Sequence, residues 1–357
     1  MALFSRRPKA DRQQSVPAGV PDAADVAEPA LTEQTPDAAI PAADETPEPA
    51  PEPQVAAEPA ASVDISMSSF RGLGSHAPVE PAVEPSRTRA AGRSVAPPPT
   101  ETIPGMRDNV LVHEALASLS DPPSPQELLD VARQLLQGHL FLRVKGDARE
   151  LLAAGKDLPL AVVSLGDRNF VLAYSSGAAL QASVRADGDV DTSAMAQPIL
   201  TILRHVLGGP YHGIVLDQSS APARASLPRE ILERIVDKAD EALTVKTLLA
   251  EQRTAETAAA VAEALTRVPL WVAVGGPAGE RPGIAEARAP DGSRYLEVYS
   301  HPLEVVVMGR SDQAAPLSAA QLAGALRSDE GLSGVLVDPR GPWIRLSRDE
   351  LAPLLAS

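Results

Sequence analysis

The chain has 357 residues, 44% hydrophobic but only 3% aromatic, with 35 prolines, no cysteine and a formal net charge of −15. Without cysteine there is no disulfide framework and no thiolate site for zinc or an iron–sulfur cluster, which points to a reducing, cytoplasmic compartment. The acidity argues against broad nucleic-acid binding, because phosphate contact needs a basic face.

Met1 to Gln14 carries Arg6, Arg7, Lys9 and Arg12 against Asp11, and no long apolar run follows. It reads as neither a signal peptide nor a membrane span, and its cations beside Leu3 and Phe4 would give at most a weak contact with anionic lipid. From Pro21 to Asp64 there are eleven acidic residues and no Lys or Arg, and residues 1–104 hold 18 of the 35 prolines. Such a composition buries too little apolar area to offset an ordering entropy of roughly 1–2 kcal/mol per residue. Residues 1–104 are therefore expected to form a disordered tail. Within it Ile65 to Gly74 gathers Ile65, Met67, Phe70 and Leu73 in a polar background, and is read as chance clustering rather than a docking motif.

The folded sequence begins near Asn109, where VLVHEALASL (110–119) has helical spacing. Ser124 to Gln137 reads as a second helix, capped by Ser124, with Pro125 in its first turn and Gly138 after its end. LFLRV (140–144), LAVVSL (160–165) and NFVLAYS (169–175) read as strands, the last two forming a hairpin about Gly166-Asp167. A short helix over 176–182, a longer one over 196–207, the strand GIVLD (213–217) and a helix opened by Pro228 follow. From Pro228 to Arg267 breakers are scarce. Ile231, Ile235, Ala239, Ala242, Val245 and Leu249 trace an apolar stripe along one long helix or two. That stripe is expected to cover the chain's own sheet; a homodimer seam is the alternative.

The chain also repeats itself. LFLRV matches LWVAV (270–274), NFVLAYSS (169–176) matches RYLEVYSH (294–301), HGIVLD (212–217) matches SGVLVDP (333–339), and LPREIL (227–232) matches LSRDEL (346–351). Four blocks in one order imply a duplication. The expected architecture is α+β (mixed α/β): module 1 at 105–236, a helical connector at 237–267, and module 2 at 268–357, each with a short mixed sheet flanked by helices.

The run FVLAYSS, an apolar helix, HGIVLD and the LPREIL helix resemble the bacterial SseB family, the "enhanced serine sensitivity" proteins. The second copy keeps the family's Gly-apolar-Asp-Pro step better, as GVLVDP (334–339), whereas the first has Asp217-Gln218. The resemblance spans about residues 105–357. It implies an α/β fold in a bacterial protein and brings no catalytic set with it.

Direct searches for chemistry fail on spacing. Asp187, Asp189 and Asp191 imitate half a calcium loop, but Thr192 and Pro198 stand where Gly and Glu are required. VGGPAGERPG (274–283) follows a strand but lacks the Gly-Lys-Ser/Thr step of a phosphate loop. The histidines His76, His113, His139, His205, His212 and His301 form no zinc pattern, and His212 and Asp217 are expected on opposite faces of one strand. What repeats is polar: Tyr174 and Tyr299 end one strand of each copy, Asp217 and Asp338 another. Strand ends are where α/β sheets bind ligands, so these four are the candidate ligand-binding residues. The competing expectation is structural, with Ser175 and Ser300 capping helices and the aspartates closing turns. The sequence thus predicts a non-enzymatic interaction or regulatory protein with a protein partner, no catalytic residues, no metal, no cofactor, no nucleic acid and no stable membrane insertion. The alternative is a small-molecule-binding or enzymatic module at the paired strand ends.

Overall fold

The computed structural model describes residues 92–276 and 282–356. The disordered-tail expectation for residues 1–91, the apolar patch at 65–74, His76 and part of the glycine-rich loop, 277–281, lie outside them.

Helix α1 (Val110–Ala117) starts where Asn109 accepts from the Val112 amide. Helix α2 (Pro125–Gln134) starts at a full capping box, Ser124 bonding the Glu127 amide and Glu127 returning to the Ser124 amide. The two helices pack on each other, and Val112, Leu116, Val131, Ala132 and Leu135 share one buried core with Leu140 and Leu142 of β1 (His139–Lys145). After α3 (Ala148–Ala153) come β2 (Val162–Leu165) and β3 (Arg168–Tyr174), paired about the expected Gly166-Asp167 turn. Helix α4 (Gly177–Asp187) is longer than the sequence suggested. Thr192–Pro198, whose last three residues were expected to open the helix over 196–207, is strand β4 along the whole of β1; its TSAMAQP run is half-exposed and carries neither β-branched density nor a clean apolar alternation. Helix α5 (Ile199–Gly208), β5 (Gly213–Leu216), a second unread edge strand β6 (Ala225–Pro228) and α6 (Arg229–Asp237) complete the unit. The sheet order is β4-β1-β3-β5-β6 with β2 also on β3, and among these pairs only β3–β5 is parallel.

The stripe from 228 to 267 is broken into three helices. After α6, Leu243 adopts a left-handed φ of 50° and Asp240 accepts from both the amide and hydroxyl of Thr244, the first residue of α7 (Thr244–Ala250). Thr257 in turn takes the Thr254 amide at the start of α8 (Thr257–Ala264). These short side chains offer the backbone an alternative to helix. Helices α7 and α8 stand to β7 (Leu270–Gly275) as α1 and α2 stand to β1. Val245, Leu249, Val261 and Leu265 lie in one core with Leu270, Leu296 and Leu322. The expected connector thus contains α7 and α8, which pack with the second repeat, and the stripe divides: Ile231, Ile235 and Ala239 pack into the first repeat's core, Val245 and Leu249 into the second's, and Ala242 is exposed.

The second repeat continues through β8 (Gly283–Ile284), β9 (Glu286–Arg288), β10 (Arg294–Val298), α9 (Pro302–Val306), β11 (Gln313–Leu317), α10 (Ala319–Ser328), β12 (Leu332–Val337), β13 (Ile344–Ser347) and α11 (Ala352–Leu355). Its sheet is split into β13-β12-β10-β9 and β11-β7-β8, joined by the Trp271–Tyr299 bridge at the place where Phe141 pairs with Tyr174 in the first repeat. β10–β12 is again parallel. Gly213, which opens β5, and Gly334, the third residue of β12, are equivalent: they have φ of 149° and 155°, and a Cβ on either would overlap the carbonyl oxygen of Leu227 or Leu346 on the adjacent strand.

The expected tail boundary at 104 is too late. Residues 92–108 form a strap across both repeats. The Trp343 indole donates to the Gly92 carbonyl at 2.6 Å and Arg253 to the Ser94 carbonyl at 3.0 Å, Arg93 pairs with Glu114, and Asp108 bonds the Gly177 amide at 3.0 Å. Proline-rich composition hid this, because the contacts to Trp343 and Arg253 are made by the strap's backbone carbonyls, which no residue type announces.

Candidate functional site

Strands β5 and β12 are each followed directly by an aspartate in the left-handed region, Asp217 and Asp338, both with φ of 49°. Aspartate is among the few non-glycine residues that enter this region readily. Their amides donate to Ala173 and Val298, both at 3.0 Å, and this turn aims each carboxylate back at the end of the parallel neighbour. There Asp217 accepts from the Ser175 amide at 2.8 Å and hydroxyl at 2.5 Å, and Asp338 from the Ser300 amide at 2.8 Å and hydroxyl at 2.7 Å. The serines do not cap the following helices, as had been expected; Ser176 and His301, one residue further on, do that. The aspartates do bind backbone amides, although across the sheet rather than within a local turn.

All four sequence candidates are sealed: Tyr174, Tyr299 and Asp338 are 0% exposed and Asp217 1%. Tyr174 shares a 2.7 Å hydrogen bond with Ser183. The Tyr299 hydroxyl donates to Glu297 at 2.5 Å and accepts from Arg310 at 2.7 Å. The tyrosines point beneath α4 and α9, whereas the aspartates lie at the strand ends beside α1 and α7, so the structure gathers the four into two Ser–Asp pairs and two separate Tyr networks. Burial raises the Asp217 carboxyl above its ordinary range, partly offset by its Ser175 hydrogen bonds. Burial, followed by the nearby Glu304 charge, pushes Asp338 up to about 6.

The repeats differ in what faces the Ser–Asp pair from the first helix. In the first it is His113, half-exposed, with Nδ1 3.3 Å from the Ser175 hydroxyl oxygen and 4.0 Å from an Asp217 oxygen. Ser, His and Asp are thus together, but not as a nucleophilic triad: the serine donates straight to the aspartate, so the histidine is not the relay between them. In the second repeat it is Lys246, buried, 3.8 Å from Asp338 and bonded to the fully buried Glu304. Glu304 also faces Arg133 of α2 at 3.6 Å, and Arg133 donates to the Gly341 carbonyl at 2.6 Å. Asp130 then ties Arg133, at 3.0 Å, to Arg340, at 2.9 Å. Burial pushes Glu304 up, but the Lys246 and Arg133 charges outweigh it and hold this carboxylate below its ordinary value. His301 closes the seam: its Nδ1 accepts from the Leu303 amide and its Nε2 faces the Ile235 carbonyl at 3.0 Å, which requires the neutral Nε2–H form. Burial lowers it to about 4. This cluster joins the two repeats. Sequence reasoning missed Lys246, Glu304 and Arg133; the available signal was a lysine and a glutamate inside otherwise apolar helical faces.

The remaining candidates resolve locally. Asp187 and Asp189 are held by Arg143, which donates to the two Asp187 oxygens at 2.5 and 3.0 Å and to the Asp189 carbonyl at 3.0 Å. A guanidinium therefore stands where the sequence imitated a calcium loop. Among the described residues there is no group of three His, Asp or Glu side chains able to hold a metal. His212 accepts from the Asn169 amide at 3.3 Å, away from Asp217.

Comparison with protein-family models, with curated proteins and with solved structures returns no match.

Proposed function

We propose that the chain is a non-enzymatic interaction or regulatory protein of the SseB type, acting in the bacterial cytoplasm on a protein partner. The observation that carries this reading is the burial of the duplicated polar residues. Tyr174, Asp217, Tyr299 and Asp338 are at most 1% exposed, and each spends its polar atoms on neighbours in its own repeat. A duplication that keeps such residues supports a role for them in architecture, leaving the surface to do the work. No described helix is long and apolar enough to cross a membrane. A thermal-shift screen of the full chain against amino acids, nucleotides and small anions tests the reading. No saturable shift is expected. A shift that Asp217→Asn or Asp338→Asn abolishes would overturn it.

One feature favours a second reading, a small-molecule site in the first repeat. His113 is half-exposed and touches the Ser175 hydroxyl, so it gives Asp217 a polar route to solvent. In that case the shift disappears in His113→Ala and survives Asp338→Asn.

A further inference from the structure

The two repeats treat the outer face of their sheets differently. In the first, Phe170, Leu172 and Val215 are closed beneath the eleven residues of α4 by Ala179 and Leu180, and Phe170 is 3% exposed. In the second, α9 has five residues, and the matching positions Tyr295 and Leu336 are only half-buried. Arg345 of β13 lies over them, its guanidinium carbon 4.8 Å from the Tyr295 ring centroid and 5.9 Å from that of Trp343. A guanidinium stacked this way keeps its edge N–H groups free for a carboxylate. No carboxylate within ion-pair distance takes them among the described residues; Asp291 feels Arg345 only at longer range. Tyr, Trp and Arg together are the residue types that dominate binding hot spots.

The chain itself says what covers this platform. Its described part begins at Gly92, whose carbonyl is held by the Trp343 indole, so the attachment point of the preceding sequence lies beside the platform. Seven residues upstream ends the segment Pro78–Pro85, PVEPAVEP, with three prolines, two glutamates and no cation. Seven residues span at most roughly 25 Å, which keeps the segment within reach. Proline-rich chain is pre-organised for aromatic platforms, and Glu80 or Glu84 supplies the carboxylate that Arg345 lacks. A tether this short gives an effective concentration on the order of millimolar, so even weak docking is populated. We propose that Pro78–Pro85 docks in cis on the Tyr295–Arg345–Trp343 platform. This surface is independent of the SseB-like reading and of the buried Ser–Asp pairs.

Trypsin reads the docking directly, because Arg87 and Arg89 lie between the segment and Gly92. Full-length wild type is compared with Arg345→Glu, with Glu80→Lys/Glu84→Lys, and with the charge-swapped combination of all three. Cleavage at Arg87 and Arg89 is expected to be about tenfold slower in wild type than in the first two variants, and slow again in the swap. The glutamate variants lie outside the folded repeats, so they report even where Arg345→Glu unfolds. Equal rates in all four chains overturn the proposal. So does protection that rises with protein concentration alongside dimer formation in sedimentation, which assigns the platform to a second copy.

Discussion

Asp338 and His301 flank Ser300 in space and in sequence respectively, and burial moves them in opposite directions. Asp338, at about 6 against an ordinary 3.8, holds a proton in the folded chain that the unfolded chain has released. Its contribution is complete below about pH 4 and is lost as pH rises through about 6. His301, at about 4 against 6.5, refuses a proton that the unfolded chain accepts, so its contribution is present above about pH 6.5 and is lost as pH falls toward 4. Each shift corresponds to about 3 kcal/mol, so in the wild type the two nearly cancel between pH 4 and 6.5. Single substitutions unmask them. Asp338→Asn, tolerated at a left-handed position, is expected to make stability climb more steeply with pH than in wild type. His301→Asn, which can still cap α9, is expected to make it fall. Urea denaturation at several pH values measures both slopes; profiles parallel to wild type in both variants contradict the pairing.

Helix α2 illustrates what a segment announces about itself. Its capping box, Ser124 with Glu127, satisfies amides at the helix start, and the hydroxyl and amide of Ser124, joined by those of Ser120, hold the Glu127 carboxyl at about 2. Ser124→Ala is therefore expected to lower stability by about 1 kcal/mol, as read from the denaturation midpoint, with α2 still formed. A loss below a quarter of that would mean that packing under Val131 and Leu135 alone sets this helix. Local signals of this kind made α1, α2, β1, the β2–β3 hairpin and β5 legible from residues alone, and order-preserving matches made the duplication legible. β4, β6 and β13 were not, because edge strands get much of their structure from the neighbour they pair with. The breaks at Asp240 and Thr254 were overlooked inside an apolar stripe that continued across them. Of the candidate site, the recurrent Ser and Asp positions could be found by alignment of the repeats. Their burial, and the charges opposite them, depend on contacts such as Arg133 with Glu304, far apart in sequence, which no local pattern encodes.

Those distant contacts determine how the two repeats behave as one molecule. Arg133 and Asp130 belong to the first repeat, and Glu304, Lys246, Asp338 and Arg340 to the second; the seam between them is polar at its centre, with Gln126 donating to the Val307 carbonyl and His301 bonded to Ile235 at its margins. One Glu304 oxygen has no hydrogen-bond partner and faces only Arg133, at 3.6 Å. Removing a partner from a buried ion cluster leaves uncompensated charge and typically costs about 3–5 kcal/mol, whereas removing charge on both sides costs less. Arg133→Met keeps most of the side-chain volume while deleting the charge and the bond to Gly341. It is expected to lower the midpoint of thermal unfolding by roughly 6 °C or more and, because the loss falls between the repeats, to separate one calorimetric transition into two. Glu304→Gln in the same chain should recover part of that loss, since the orphaned charge disappears with it, giving a coupling of about 1–3 kcal/mol in the double-mutant cycle. Additive effects with a single transition throughout would mean that the apolar contacts around the cluster, and not its charges, fasten the two repeats together.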